Sequence, residues 1–380
     1  MGKKIVYIVG DLSYPNGMSQ VLSQKVNYLA RHTDYDLHII LTEKADKPWF
    51  YAMDERVKHV NFDLNFDDLY RVPLMKRLWV FAQRQRRYKR LLRDYLMRER
   101  PDIVVSVVRR EINFINNIPD GSRKVGELHF NRSSYRQFHK RWVPAFICRA
   151  VTRWWQAKLV REIRRLDHFV VLTQEDYRCW APDIKNMQVI PNPVSVGPDV
   201  QADCQAKRVI AVGRYTWAKG FDMLIPAWEL VHRRHPDWQL HIYGPGESEK
   251  YRAQAEALGL DGTLKCEGPV KDVYAKYLES SIFVLSSRHE GFGVVLAEAM
   301  SVGVPCVSFD CPCGPRDIIR DGEDGILVER DNIEKLAEGI CFLIEHEDIR
   351  RQYGAAARIN VARFREEGVM KKWIELFESL

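Results

Sequence analysis

Short apolar runs alternate with longer stretches of helical periodicity along almost the whole chain, and this alternation limits the fold more than any other feature. The runs Lys4–Val9, Leu37–Leu41, Ile103–Val107, Arg123–Gly126, His168–Val171 and Gln188–Ile190 read as strands of the first half. Helical stretches such as Met18–His32 and Leu74–Arg98 lie between them. The second half repeats the scheme, with strands at Arg208–Val212, Gln239–Tyr243, Leu264–Glu267, Ile282–Leu285, Pro305–Ser308 and Gly325–Val328. Strands that alternate with helices form parallel sheets covered on both faces, the α/β class. The scheme is broken once, at Pro191-Asn192-Pro193-Val194-Ser195-Val196-Gly197-Pro198, where three prolines and a glycine can continue neither helix nor strand. At 380 residues the chain exceeds the size at which one core stops growing, so this segment is the expected linker between two domains. Open α/β sheets place ligands beyond their carboxyl ends, so a cleft between two such domains is the expected site.

Composition narrows the class further. The hydrophobic fraction of 46% and charged fraction of 29% are ordinary for a folded domain. No segment approaches the roughly 20 apolar residues that span a bilayer. Met1-Gly2-Lys3-Lys4 leads directly into Ile5–Val9, which ends in Gly10-Asp11. That pattern suits a buried first strand better than a signal peptide, and the expected compartment is the cytoplasm. Eight cysteines without framework spacing fit reduced structural thiols. Only Cys311-Pro312-Cys313 is close-set, and it has neither the spacing nor the second pair of a zinc site. Net charge is +7, but it divides unevenly. Met1–Ile190 holds 35 Lys and Arg against 21 Asp and Glu, whereas Pro191–Leu380 holds 23 against 30. The first half therefore faces something anionic. Neither half has a Gly-x-Gly-x-x-Gly after its first strand, which argues against a dehydrogenase.

Two segments carry chemistry. In Glu290-Gly291-Phe292-Gly293-Val294-Val295-Leu296-Ala297-Glu298, glycines follow a strand and precede a helix, Val294–Ser301, with Val294, Val295 and Ala299 expected to pack inward. The first amides of such a helix lack partners and bind anions. Glu298, one turn on, can accept from a vicinal diol, and Glu290 sits just before the helix. The bland alternative is a surface turn with two solvated glutamates. In Gly213-Arg214-Tyr215-Thr216-Trp217-Ala218-Lys219-Gly220, a strand ends and a helix begins, leaving Arg214 and Lys219 at the sheet's carboxyl edge. Two cations there suit a diphosphate. Alone they would be ordinary solvated charges; their coincidence with Glu290–Glu298 at one sheet edge is what singles them out.

In this order and distance the two segments resemble the retaining glycosyltransferases of family 4, whose GT-B fold has two facing Rossmann-like domains. Glu290 and Glu298 match the family's two glutamates separated by seven residues, and Gly213-Arg214 and Lys219-Gly220 match its cationic loop. Tyr243-Gly244-Pro245-Gly246, Gly268-Pro269-Val270 and Gly314-Pro315-Arg316-Asp317-Ile318-Ile319 before Asp321-Gly322 extend the resemblance over most of Val209–Val328. It implies that Arg214 and Lys219 hold the donor diphosphate, that Glu298 holds the ribose, and that Glu290 contacts the transferred sugar with the amides of Gly291, Phe292, Gly293, Val294 and Val295 nearby. Gly268 and Val270 would meet the base. In the first half, Gly17 matches the glycine loop after strand one, and His129 in Gly126-Glu127-Leu128-His129 matches a histidine that faces the donor sugar. Read by itself, a histidine after a strand is more often structural. The chain departs from the family in having one glycine in Asn16-Gly17-Met18-Ser19 where two are common, and Asn192-Pro193 where Asn-Gly is frequent.

The basic first half adds a further expectation. Leu74, Leu78, Phe81, Tyr88, Leu92 and Tyr95 form one apolar stripe at helical spacing, with Lys76, Arg86, Arg90 and Arg93 projecting from the other side together with Trp79. A second basic and aromatic run, His139–Arg165, includes Arg141-Trp142, Arg149, Arg153-Trp154-Trp155, Lys158, Arg161 and Arg164-Arg165. Cationic faces with tryptophan suit anionic lipid headgroups, and solvated faces over a packed core are the plainer alternative. No nucleic-acid-binding motif accompanies the charge, so no nucleic acid is expected.

Together these give an expected division into residues 1–192 on the acceptor side, 193–365 on the nucleotide-sugar side, and a last helix at 366–380 that crosses back to the first domain. The activity implied is retaining transfer of a hexose or N-acetylhexosamine from a nucleotide–diphosphate donor, a UDP-sugar, to a glycan or lipid-linked saccharide in bacterial surface polysaccharide or lipopolysaccharide synthesis. The enzyme would work in the cytoplasm, at the inner face of the membrane. Neither metal nor cofactor is expected: the only Asp-x-Asp, Asp34-Tyr35-Asp36, reads as a turn, and Arg214, Lys219 and a helix start supply the positive charge. The rivals are a sugar-nucleotide epimerase or hydrolase on the same architecture, and a non-catalytic membrane- or RNA-binding protein.

Overall fold

The computed structural model describes residues 2–71, 73–132, 135, 143–195 and 199–380, with the backbone alone at Tyr70, Arg71 and Leu74. His139, Arg141 and Trp142 of the basic run, Val196–Pro198 of the proline-rich segment and the Leu74 side chain lie outside the described residues. The chain forms two compact units. The first comprises Met1–Leu172, Tyr177–Pro193 and Met370–Leu380; the second comprises Thr173–Asp176 and Val194–Val369.

The first unit is built on β1 (Lys4–Ile8), β2 (Asp36–Leu41), β3 (Lys58–Asn61), β4 (Ile103–Ser106), β5 (Arg123–Glu127), β6 (His168–Val171) and β7 (Met187–Val189), all paired parallel in the order β3-β2-β1-β4-β5-β6-β7. Ile5, Val6, Tyr7 and Ile8 are all buried, as a central strand covered on both faces requires. β3 escapes the sequence pattern because this edge strand, Lys-His-Val-Asn, buries none of its side chains fully. The helices are α1 (Gly17–His32), α2 (Leu74–Glu99), α3 (Ala145–Ile163) and α4 (Gln174–Trp180), of which the start of α4, through Asp176, groups with the second unit. α1 starts where the Asn16 side chain accepts from the Ser19 amide at 3.0 Å.

α2 corrects the expected apolar stripe. Tyr88, Leu92, Tyr95 and Leu96 are buried against Phe62, Phe66 and their neighbours, but Leu78 and Phe81 are exposed, together with Met75 and Trp79. The helix is held by its carboxyl-terminal half; from its first half Phe81 still meets Phe66 edge-on, with ring centroids 5.6 Å apart, while Met75, Leu78 and Trp79 face outward.

The second unit carries β8 (Arg208–Val212), β9 (Gln239–Tyr243), β10 (Leu264–Glu267), β11 (Ile282–Leu285), β12 (Cys306–Phe309) and β13 (Gly325–Val328), parallel in the order β10-β9-β8-β11-β12-β13. Its helices are α5 (Phe221–Arg234), α6 (Glu249–Ala257), α7 (Val273–Leu278), α8 (Val294–Ser301), α9 (Pro315–Ile318), α10 (Ile333–Glu345) and α11 (Glu347–Asn360). Trp228, Leu240, Ile282, Phe309, Leu336 and Ile340 belong to a core distinct from that of the first unit. Both sheets reverse direction of growth beside their first strand, between β1 and β4 and between β8 and β11. These are the switch points at which doubly wound sheets open a crevice.

The final helix, α12 (Glu366–Ser379), is shared out by its contacts: Met370–Leu380 group with the first unit. Trp373 and Phe377 are buried there, and Lys3 Nζ donates to the Phe377 carbonyl at 2.6 Å. The eight cysteines are free thiols, and all but Cys179 are buried. Among the described residues no helix is long and apolar enough to cross a membrane.

Candidate active site

The loops after β8 and β11 meet at the switch point of the second sheet. After β8 the chain passes Gly213 and Arg214, makes a single 3-10 turn at Trp217–Lys219, and enters α5 through Gly220. Gly220 has φ +64°, and a Cβ there would stand 1.9 Å from the Ser286 carbonyl oxygen, so the two loops touch backbone to backbone. Around that contact Ser286 Oγ donates to the Lys219 carbonyl at 2.9 Å and the Arg288 amide to the Ala218 carbonyl at 2.9 Å. The Arg288 guanidinium grips Asp222 through two bonds of 2.8 and 2.7 Å and donates to the Trp217 carbonyl at 2.7 Å. The fork pulls the Asp222 carboxyl below, and the Arg288 guanidinium above, their ordinary values.

This stitching delivers Lys219 to Glu290. Lys219 Nζ donates to Glu290 Oε1 at 2.7 Å, and the same oxygen accepts from Ser287 Oγ at 2.6 Å. The pair is mostly enclosed, with side-chain exposures of 21% and 11%. Arg214 stands differently: its side chain is exposed and has no ion-pair or side-chain hydrogen-bond partner among the described residues. One cation at this edge is thus already neutralised, and the other is open to an incoming anion. Cys311, at the end of the neighbouring β12, is buried close by; burial first and then the Glu290 charge push its thiol well above the usual range.

Beyond Glu290 the chain turns through Gly293 at φ +93° into α8. Val294 and Val295 are only half-buried, contrary to the inward packing expected of them; Leu296, Ala297, Ala299 and Met300 form the buried face. The shift follows from the cap, which starts the helix with its first two residues turned from the core. Phe292 is buried edge-on against Phe364, with ring centroids 5.2 Å apart. Glu298 lies in the second turn, buried, and its Oε2 accepts from the Tyr277 hydroxyl of α7 at 3.1 Å. Burial and then the Glu298 charge raise the Tyr277 phenol well above its ordinary value, which keeps it a donor.

The structure therefore gathers Arg214, Lys219, Glu290, Gly291, Phe292, Gly293, Val294, Val295 and Glu298 about the carboxyl ends of β8 and β11. Gly268 and Val270 follow β10, the edge strand two places from β8. Gly17 and His129 lie in the first unit, at the start of α1 and just beyond β5. Sequence reasoning passed over Ser286, Ser287, Arg288, Asp222 and Tyr277. The signal available for the first three was their position: they are the residues between a buried strand and the first glutamate.

The two doubly wound sheets are the Rossmann-like sheets of the GT-B fold. A mutant of S. aureus TarM, in complex with fondaparinux, alpha-GlcNAc-glycerol and UDP, superposes with a TM-score of 0.77 over 99% of each chain at 18% identity. Sucrose-phosphate synthase from Thermosynechococcus elongatus gives 0.82 over 99% of this chain and 98% of that one at 15% identity. Residues 199–360, most of the second unit, match the family model of the glycosyl transferases group 1. In sequence the chain is 32% identical over 211 residues to an uncharacterized glycosyltransferase of Haemophilus influenzae and 34% identical over 218 residues to the amylovoran biosynthesis glycosyltransferase AmsD of Erwinia amylovora. The first match covers 54% of this chain and 60% of the relative, the second 54% and 61%. The chain thus spans about three-fifths of the length of these two relatives. Similarity to the lipopolysaccharide 1,6-galactosyltransferase of Salmonella typhimurium is lower, 26%, but covers 85% of both chains.

Proposed function

We propose that the chain is a retaining glycosyltransferase that moves a hexose or N-acetylhexosamine from a UDP-sugar to a glycan or lipid-linked saccharide of the bacterial surface. The observation that carries this reading is the Lys219–Glu290 pair together with an exposed Arg214 that has no ion-pair partner among the described residues, on the loops that follow β8 and β11 at the switch point of the second sheet. Arg214 takes the diphosphate through its guanidinium fork, and the α8 amides and Lys219 stabilise the charge that builds as the nucleoside diphosphate departs. These groups do the electrostatic work of a metal ion, so transfer persists in excess EDTA. Glu298, oriented by Tyr277, holds the ribose diol, Glu290 meets the transferred sugar, and Gly268 and Val270 flank the base. His129 is assigned a hydrogen bond to the same sugar. The amylovoran and lipopolysaccharide enzymes among the relatives, and the UDP bound by TarM, support the substrate classes.

Thermal-shift titration tests the donor site, because a ligand bound only by the folded state raises its stability. UDP is expected to raise the melting temperature of the native chain and to fail with Arg214→Ala at unchanged basal stability. Indifference to every nucleoside diphosphate would sink the reading. Donor turnover at full rate without any acceptor would replace it with an epimerase or hydrolase.

A second reading concerns place. Met75, Leu78 and Trp79 of α2 are 79%, 57% and 63% exposed, and the helix carries nine Lys or Arg against two acids. Phe146 and Trp154 of α3 are exposed among Arg149, Arg153 and Lys158. These surfaces support adsorption to the anionic inner face of the membrane.

A further inference from the structure

A pair of charges is buried in the first unit, between α1 and the end of β5, and its geometry leads to His129. Lys25, in the middle of α1, is 1% exposed. Its Nζ donates to Glu127 Oε2 at 2.6 Å and lies 3.6 Å from the ring centroid of Trp373 in α12. Glu127 is the last residue of β5 and is equally buried. Its other oxygen, Oε1, stands 3.3 Å from Nε2 of His129, two residues on and itself nearly buried; the two are within ion-pair range without hydrogen-bond alignment, and among the described residues Nε2 has no hydrogen-bond partner, which leaves this carboxylate as the group it faces. On the remaining side is Tyr7 of β1, its ring 5.8 Å from Lys25 Nζ. The carboxylate therefore faces an ammonium on one oxygen and an imidazole on the other, and an indole covers the ammonium.

Two charges taken out of water are costly, and apolar side chains of the same volume would pack this core at least as well. An arrangement of that kind is explained when the charges fix something a hydrocarbon cannot. A carboxylate beside one ring nitrogen selects the tautomer with its proton on that nitrogen, and leaves the other as the acceptor. Glu127 would do this for Nε2, leaving Nδ1 of His129 as the nitrogen with a free lone pair. Lys25 keeps the carboxylate from rotating away, and Trp373 keeps water from Lys25 through a cation–π contact.

We propose that Glu127 is a positioning residue that sets the tautomer and orientation of His129, with Lys25 as its counter-ion and Trp373 of the C-terminal helix as the lid on that ion pair. The consequence for transfer rests on the reading of His129 as a contact of the donor sugar. The consequence for the imidazole does not. Through Trp373, the docking of α12 becomes a condition for the working geometry of a residue in another element.

The experiment uses the full chain labelled with 15N in its histidine rings, the His129 signals being identified by their loss in His129→Gln. Rates are read as the slow transfer to water that releases UDP from UDP-glucose and UDP-N-acetylglucosamine, the acceptor-independent side reaction of a transferase. The native protein is expected to show the Nε2–H pattern at His129. Glu127→Asp keeps a charge beside Lys25 but withdraws it from the imidazole, and Lys25→Met with Glu127→Gln removes both charges without orphaning either. Each is expected to give a mixed tautomer, and to slow UDP release on the order of tenfold or more with donor KM changed by less than about twofold. Trp373→Leu is expected to act in the same direction. An unchanged His129 pattern in both Glu127 variants overturns the proposal, and an unchanged pattern in Trp373→Leu removes α12 from it. If the pattern changes while His129→Gln and Glu127→Asp release UDP at the native rate, the positioning stands and the sugar contact of His129 falls.

Discussion

Arg214 and Lys219 bring the same charge to the same sheet edge but are held differently, and the difference separates their roles. Lys219 is saturated by Glu290, whereas Arg214 waits in solvent. Losing Arg214 should cost one or two charge-assisted hydrogen bonds to the diphosphate, about 2–3 kcal/mol or roughly a hundredfold in UDP affinity, with no change in melting temperature. Lys219→Ala should weaken UDP binding and also release Glu290. Isothermal titration of Lys219→Ala, Glu290→Gln and the double variant should therefore show coupling of at least about 0.5 kcal/mol, while Arg214→Ala should add to Glu290→Gln independently. Additivity in the first cycle would mean that the ion pair is incidental. Gly220 is the backbone counterpart of this contact. Gly220→Ala forces a Cβ against Ser286 at positive φ and should cost about 1–3 kcal/mol in urea unfolding, with the second unit affected. Arg214, Lys219, Glu290 and Glu298 were legible because charge and glycine spacing sit within single segments. Arg288 with Asp222, and Tyr277 with Glu298, were not, because their pairing is decided by which strands neighbour one another. No spacing along the chain encodes that β8 lies beside β11.

Elements were legible where burial is two-sided. β8, β9, β10, β11 and β13 have the bounds that their apolar runs suggest, whereas β3 carries no run because it lies at an edge. α2 shows the opposite failure: periodicity found the helix but not the point at which its apolar residues leave the core. Met75, Leu78 and Trp79 lie on one outer face, continued toward the carboxyl end by Arg86, Arg90 and Arg93. Such a face can sink its apolar turns into the headgroup region while the arginines reach lipid phosphates. Leu78→Gln with Trp79→Gln should abolish flotation with phosphatidylglycerol vesicles and leave both melting temperature and UDP binding untouched; retained flotation would locate the contact elsewhere. The join of α1, β5 and α12 makes a prediction in pH. Burial by itself would raise the Glu127 carboxyl, but Lys25 and then His129 more than offset it and hold the group at about 2, below its ordinary 4.5. A depressed carboxyl stabilises the fold fully above its unfolded value, and that contribution is lost as pH falls from about 4.5 toward 2. Urea midpoints of the native chain should drop more steeply through this window than those of the Lys25→Met, Glu127→Gln double variant. Lys25 acts with the opposite sign at alkaline pH: burial lowers its ammonium from 10.5, so its cost to stability is relieved as pH rises toward that value.

At the scale of the molecule the two halves differ in charge and in core. The first 190 residues carry the basic excess, the rest an acidic one, and each unit has its own hydrophobic cluster around its own sheet. Tyr88, Leu92 and Phe169 belong to one cluster, Trp228, Phe283's neighbours Ile282 and Val284, and Phe309 to the other. Two cores of this kind are two cooperative units, and a single unfolding free energy does not describe the chain. Calorimetry should resolve two transitions. UDP at a hundredfold excess over its Kd should stabilise by about 2.7 kcal/mol only the unit that binds it, raising one transition and leaving the other in place. Ile282→Ala, which opens a cavity beneath β11, should lower the UDP-sensitive transition, whereas Leu92→Ala should lower the other; each deletion should cost about 2–5 kcal/mol. Removal of Met370–Leu380 takes Trp373 and Phe377 from the first unit and should lower the UDP-insensitive transition although the cut lies in the chain's last residues. If UDP raised the transition lowered by Leu92→Ala, the nucleotide would be held by the first sheet, and the assignment of Arg214 and Lys219 to the diphosphate would fall with it.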